Sequence, residues 1–138
     1  MSEESTTPDL VELTCRIYES GTRRDFDAVL SFYSPVSVWE TYGLGTLEGV
    51  RAIRGFLEDW VNAYEEFEIE PEEILDLGNG VVFSVFRQNA RPAGSTGHLR
   101  VQNAHVFVWA DGLVVRTTSY ADIAEARVAA ERLAASRE

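Results

Sequence analysis

Between residues 81 and 121 the chain reads as three long strand candidates joined only by short turns, and that run limits what the whole can fold into. The candidates are 81–91, 98–109 and 113–121. Pro92-Ala93-Gly94-Ser95 leads from the first to the second, and Asp111-Gly112 is a strong hairpin signal between the second and third. Strands joined this closely lie antiparallel, because a parallel crossover needs a dozen or more residues. Gly78-Asn79-Gly80 feeds the run from a weaker candidate at 67–69, which resumes at Ile74 after Pro71.

Ahead of this meander, apolar residues recur at helical spacing. Thr7-Pro8-Asp9 is a helix start with proline in the first turn. Leu10, Leu13, Ile17 and Gly21 follow on one stripe, widened by Val11, Cys15 and Tyr18. Asp25 opens a short second helix carrying Phe26, Val29 and Leu30, and Pro35 ends it. A short strand at 36–40 runs through a loop at 42–45 to a third helix, which Thr46 can cap and which carries Val50, Ile53, Leu57, Trp60 and Val61. An alanine-rich helix from Asp122 to about Ser136 closes the chain. The expectation is an α+β fold: a tail at 1–8, expected to be disordered, and one domain over 9–138. A twisted sheet of this length can curl around a helix layer and leave a concave interior.

Charge removes several function classes. The net charge of -11 lacks the basic footprint that nucleic acid or an anionic membrane surface requires. All twelve basic side chains are arginine, and the absence of lysine excludes Schiff-base chemistry, pyridoxal phosphate and a P-loop. The acidic run from Glu65 to Asp76 reads as a solvated face. A single cysteine, Cys15, gives no internal disulfide, and no apolar stretch approaches a membrane span, so a cytoplasmic protein is expected. His98 and His105 sit seven residues apart on one strand and point to opposite faces, so no metal site is expected.

Several local runs carry a resemblance: Arg24-Asp25-Phe26-Asp27 opening 24–33, Val38-Trp39-Glu40, Gly49-Val50-Arg51-Ala52-Ile53 in the third helix, and Trp109-Ala110-Asp111-Gly112 at the last hairpin. In this order they resemble the nuclear transport factor 2-like superfamily, in its SnoaL-like and ketosteroid isomerase-related branch. The resemblance implies a cone-shaped, curved antiparallel (mixed) sheet wrapped around three helices, a cystatin-like α+β barrel with a C-terminal helix. It implies a pocket for a small apolar molecule, a polyketide-, terpenoid- or steroid-like compound. It also implies cofactor-independent acid–base chemistry, as isomerase, cyclase, dehydratase or epoxide hydrolase. A non-catalytic binding or dimeric interaction module is the alternative.

On that resemblance Val85, Arg87 and Asn89 line the cone, with Gln102, Ala104 and Val106 on the next strand and Thr117 and Ser119 on the last. Glu40 resembles the isomerase base, with Arg87 as its electrostatic partner and Tyr18, one residue from Ile17 in alignment, as an oxygen-binding donor. Trp39, Tyr42, Leu57 and Trp60 are expected to wall the pocket. Ala104 stands where the isomerases carry a protonated aspartic acid, which argues against steroid isomerisation. Asp122 is either a helix cap or the counterpart of a cyclase aspartate. The opposite faces, with Phe86, Phe107, Trp109 and Tyr120, are then the outer ones, and their apolar character suggests a homodimer packed through them.

Overall fold

The computed structural model describes residues 9–42 and 45–137. The tail expected at 1–8 and part of the loop expected at 42–45 fall outside them. The elements are α1 (Leu10–Thr22), α2 (Phe26–Leu30), β1 (Tyr33–Thr41), β2 (Thr46–Glu48), α3 (Val50–Asn62), β3 (Tyr64–Gly78), β4 (Val81–Pro92), β5 (Leu99–Ala110), β6 (Leu113–Tyr120) and α4 (Ile123–Ser136). The strands form one mixed sheet in the order β2-β1-β6-β5-β4-β3, antiparallel throughout except where β1 runs parallel to β6. The sheet does not close, and it is this curled α+β architecture that the sequence implied.

Three helices begin the same way. The carboxylates of Asp9, Asp25 and Asp122 accept hydrogen bonds from the amides of Glu12, Ala28 and Glu125, three residues on in each case. Asp122 is therefore a helix cap by geometry. Helix α3 lacks such a cap: Gly49, at φ 90°, turns the chain into it. Thr46, expected to cap α3, instead lies in β2, which pairs with β1. At the other end of α3, Arg24 donates to the carbonyls of Val61, Tyr64 and Glu65 at 2.8–3.2 Å. It places a cation where the helix dipole is negative and ties the α1–α2 turn to the start of β3.

Strand β3 runs unbroken through Pro71, which the edge position and a register shift between Pro71 and Glu73 accommodate. Its acidic residues face outward, and several are paired: Glu65 and Glu66 with Arg91, Glu72 with Arg87, Glu73 with Arg127. Charge on an edge strand discourages pairing with other chains. Thr22 adds a second guard, since its hydroxyl accepts from the amide of Ile69 at 2.9 Å and donates to the same residue's carbonyl at 3.1 Å.

The sheet buries both faces, and here the expected phase is corrected. The face under α1, α2 and α3 carries Val82, Phe86, Phe107 and Trp109, with Trp39 and Val114 beside them. The other face carries Val81, Phe83, Val85, Ala104 and Val106, and α4 covers it with Ala126, Ala130 and Ala134. Arg87, Asn89, Gln102, Ala104 and Val106 thus share the outer phase, while Phe86, Phe107 and Trp109 are inside. Because α4 makes the outer phase as apolar as the inner one, alternation could not choose between them, and a one-residue slip inverts every side chain. On β6 the expected phase agrees with the structure: Thr117 and Ser119 face inward, opposite Phe107 and His105. With Phe107 and Trp109 inside, the apolar outer surface is met by the chain's own α4.

Gly80 seats the β3–β4 hairpin against β5. It adopts φ 83°, and a Cβ there would lie 2.4 Å from the carbonyl oxygen of Trp109. Gly80→Ala is expected to lower stability by about 3 kcal/mol, read as a shift in the urea midpoint with unchanged slope. An unchanged midpoint would refute the close approach.

Candidate functional site

Four of the polar side chains that reach the interior form one row across the sheet. Register places Ser84 opposite His105, His105 opposite Ser119, and Ser119 opposite Thr41, all on the inner face. All four are buried. From above, α1 brings Tyr18 down onto the row. Its phenol oxygen lies 2.5 Å from Ser84 Oγ and 2.9 Å from His105 Nδ1. At the other end Trp39 Nε1 donates to Ser119 Oγ at 2.8 Å.

Aromatic rings surround this row. The His105 imidazole stacks on Phe86 at 4.4 Å between centroids, lies parallel to Tyr18 at 5.9 Å, and meets the edges of Trp39 and Phe107 at 5.5 and 5.4 Å. Desolvation in this shell lowers the His105 pKa from its ordinary 6.5 to about 3. Burial likewise raises the Tyr18 phenol well above its usual value, with the Ser84 hydrogen bond opposing. Both groups are neutral at pH 7. The single phenol proton can go to Nδ1, with Ser84 donating to Tyr18, or to Ser84, with Nδ1–H donating to Tyr18. Either arrangement satisfies all three groups without charge.

Between these rings and the helices lies a cavity of ≈ 30 Å³, room for roughly two waters. Its lining is almost wholly carbon and includes Leu57, Trp39, Tyr33 and Trp60 beside Tyr18 and His105. Among the described residues no carboxylate or arginine lines it. The interior is therefore largely filled by rings rather than hollow.

The structure distributes the expected site residues differently. Tyr18, Trp39, Leu57 and Trp60 come together at the cavity, and Thr117 and Ser119 lie in the sheet beneath. Glu40 does not join them. It is outward and half-exposed, held by Arg116 at 2.8 Å and by the Thr118 hydroxyl at 3.2 Å. Arg87 does not meet Glu40: its Nε donates to Glu72 at 3.0 Å, and Gln102 donates to the same carboxylate at 2.6 Å. These two bonds, that of Gln102 foremost, lower the Glu72 pKa. Asn89 bridges Arg100 and Glu68 on the outer surface. Ala104 and Val106 lie under α4. Tyr42 is on the rim near Ser119, its phenol pKa raised by burial.

Wider clefts are open to solvent, and two of them carry carboxylates of interest. One, about 670 Å³, runs along acidic β3 with Glu66, Glu68 and Glu70. The other, about 560 Å³, is lined by Glu40, Tyr42, Tyr120, Asp122 and Glu125. In the second, burial raises the phenol pKa of Tyr42 and of Tyr120. Sequence reasoning weighed His105 only as a metal ligand and passed over Ser84. The available signal was phase: His105 alternates with Phe107 and Trp109, and Ser84 with Val82 and Phe86.

A family model described as the SnoaL-like domain matches residues 16–117. The chain belongs to that family. Solved structures share its architecture. TerC, co-crystallised with polyporic acid, is 21% identical with a TM-score of 0.70 over 88% of this chain and 97% of its own. A ketosteroid isomerase-like protein from Catenulispora acidiphila, in complex with trimethylamine, is 14% identical with a TM-score of 0.72 over 83% and 86%. A cystatin-fold protein from Novosphingobium aromaticivorans is 15% identical with a TM-score of 0.72 over 82% and 98%. Identities this low establish the fold. Among curated proteins no sequence matches it. Among the described residues, no helix of this SnoaL-like chain is long and apolar enough to cross a membrane.

The buried imidazole makes stability depend on pH. Unfolded, the His105 side chain takes up a proton below about 6.5; folded, it does so only near 3. The unfolded state binds more protons in that window, so stability falls as pH drops through it. About 2 kcal/mol should be lost between pH 7 and 5. His105→Phe should flatten this dependence in denaturant titrations, and an unaltered slope would contradict the burial of His105.

Proposed function

We propose that this SnoaL-like protein binds a small, neutral, largely apolar molecule in the interior beneath its helices, with Tyr18 and His105 as the polar contact. The observation that carries this reading is a neutral, hydrogen-bonded Tyr18–His105–Ser84 group at the wall of an aromatic cavity. Such a cluster is expensive to bury, and when Ser84 O–H and His105 Nδ1–H both donate to the Tyr18 oxygen, the phenol proton is free for a guest's oxygen. Two structures of similar fold were solved with small organic compounds, polyporic acid and trimethylamine, which supports small-molecule binding by this fold. A carboxylate guest fits poorly, because no cation lines the cavity among the described residues.

Binding is favoured over catalysis by the position of Glu40, which sits outside and paired with Arg116. Acid–base chemistry of the isomerase, cyclase, dehydratase or epoxide hydrolase kind remains the second reading, and it rests on the open cleft. There Glu40 lies with Asp122 and Glu125, and Tyr120 has its pKa raised by burial, then by Glu125 and Glu40. On that reading Glu40→Gln abolishes turnover of any substrate found while leaving the fold intact. Equal rates in the two proteins remove Glu40 from the mechanism.

A guest larger than about two waters must displace side chains of the interior, and this reading is tested with acetophenone, ethylbenzene and benzoate. The two neutral compounds should raise the melting temperature of the parent, acetophenone more, while benzoate should not. Tyr18→Phe should weaken acetophenone about five- to tenfold and leave ethylbenzene unaffected. No shift with either neutral compound, or an equal shift with benzoate, would contradict the proposal.

A further inference from the structure

The cavity carries a second clue, on helix α1. Of its thirteen lining residues, ten are buried, and only Gly21, Phe26 and Trp60 reach solvent. These three come from α1, α2 and α3, so the way in is the junction of the three helices. Gly21 is the unusual member. It lies within α1, in ordinary helical conformation, where glycine weakens a helix relative to alanine. No turn or close backbone approach demands it, since a Cβ built on Gly21 meets nothing within 4 Å. The chain accepts a less stable helix at a point where the freed volume adjoins the cavity.

Resting on the reading of the interior as a binding site, we propose that Gly21 is the specificity-determining residue of its mouth, through which a neutral guest bearing an oxygen enters. Gly21 is three residues beyond Tyr18 on the same face of α1, so mouth and polar contact lie on one side of the helix. The cavity between them has room for about two waters, so a guest with a ring must displace lining side chains, the buried Leu57, Val61 and Trp39 among them. Phe26 and Trp60 flank the entry with their rings, and the oxygen faces Tyr18 and His105. Phe56 stacks on Trp60 at 6.0 Å and Phe67 meets it edge-on at 5.3 Å, so the Trp60 side of the mouth is braced.

The test uses the full chain and the same neutral probes, acetophenone and ethylbenzene, followed by melting temperature and by NMR titration. Gly21→Ala should raise the melting temperature of the free protein and weaken both probes; Gly21→Leu should weaken both at least tenfold. Gly55 is the control: it lies on an exposed face of α3, away from the cavity, also with nothing within 4 Å of a built Cβ. Gly55→Ala should stabilise the free protein in the same way and leave binding untouched. Parent-like affinity in both Gly21 variants would overturn the assignment of the mouth while leaving the binding site standing. Binding of neither probe by the parent would remove the binding site itself.

Discussion

Helix α1 lies across the sheet with a phenol in the middle of its buried face, and the fold depends on that phenol finding partners. A Tyr18 hydroxyl left unpaired among Phe86, Phe107 and Trp39 would carry the full desolvation penalty of a buried polar group, of the order of 1–3 kcal/mol. Ser84 and His105, from adjacent strands, meet it at 2.5 and 2.9 Å. These two contacts tie α1 to β4 and β5 and require Ser84 and His105 to face inward. The rest of the interior, from the Trp39–Ser119 bond to the stacked rings, follows from that phase.

The chemistry of the interior is governed by the same desolvation. A shell of rings keeps His105 uncharged and keeps the Tyr18 proton in place, so the site works with neutral dipoles. Charge is confined to the outside, where Glu40 meets Arg116, Glu72 meets Arg87, and the acidic edge of β3 is partly neutralised by Arg91 and Arg127. This separation explains why the interior suits neutral guests. It also explains why the carboxylate most suggestive in the sequence lies on the other side of the sheet from the cavity.

Much of the architecture was legible from turn chemistry and helical spacing. Asp111-Gly112 turns where expected, Asp9 and Asp25 start their helices, and the strands after Gly80 fall within a few residues of the anticipated bounds. The three-residue β2 was not legible, because it is too short for alternation to register. Pro71 seemed to divide β3, yet an edge strand tolerates a residue without an amide donor. The larger miss concerned sides rather than elements. Tyr18, Trp39, Leu57 and Trp60 sit on helices or a strand with one plain apolar face, and they reach the cavity as anticipated. Arg87, Asn89 and Gln102 were assigned the wrong face, because β4 and β5 are sandwiched between two helical layers and carry apolar residues in both phases. Only the small residues of α4, Ala126, Ala130 and Ala134, hint in the sequence that a helix packs closely on the outer side.

The central claim is that His105 is buried, neutral and bonded to Tyr18 inside the cone. Nitrogen-15 NMR of the histidine imidazoles, followed from pH 7.5 to 4.5, tests it directly. For His105 the account predicts a neutral ring throughout, one nitrogen protonated and the other not, with no titration while the protein stays folded. A His105 ring that gains its second proton with a midpoint near 6.5 in the folded protein would contradict it.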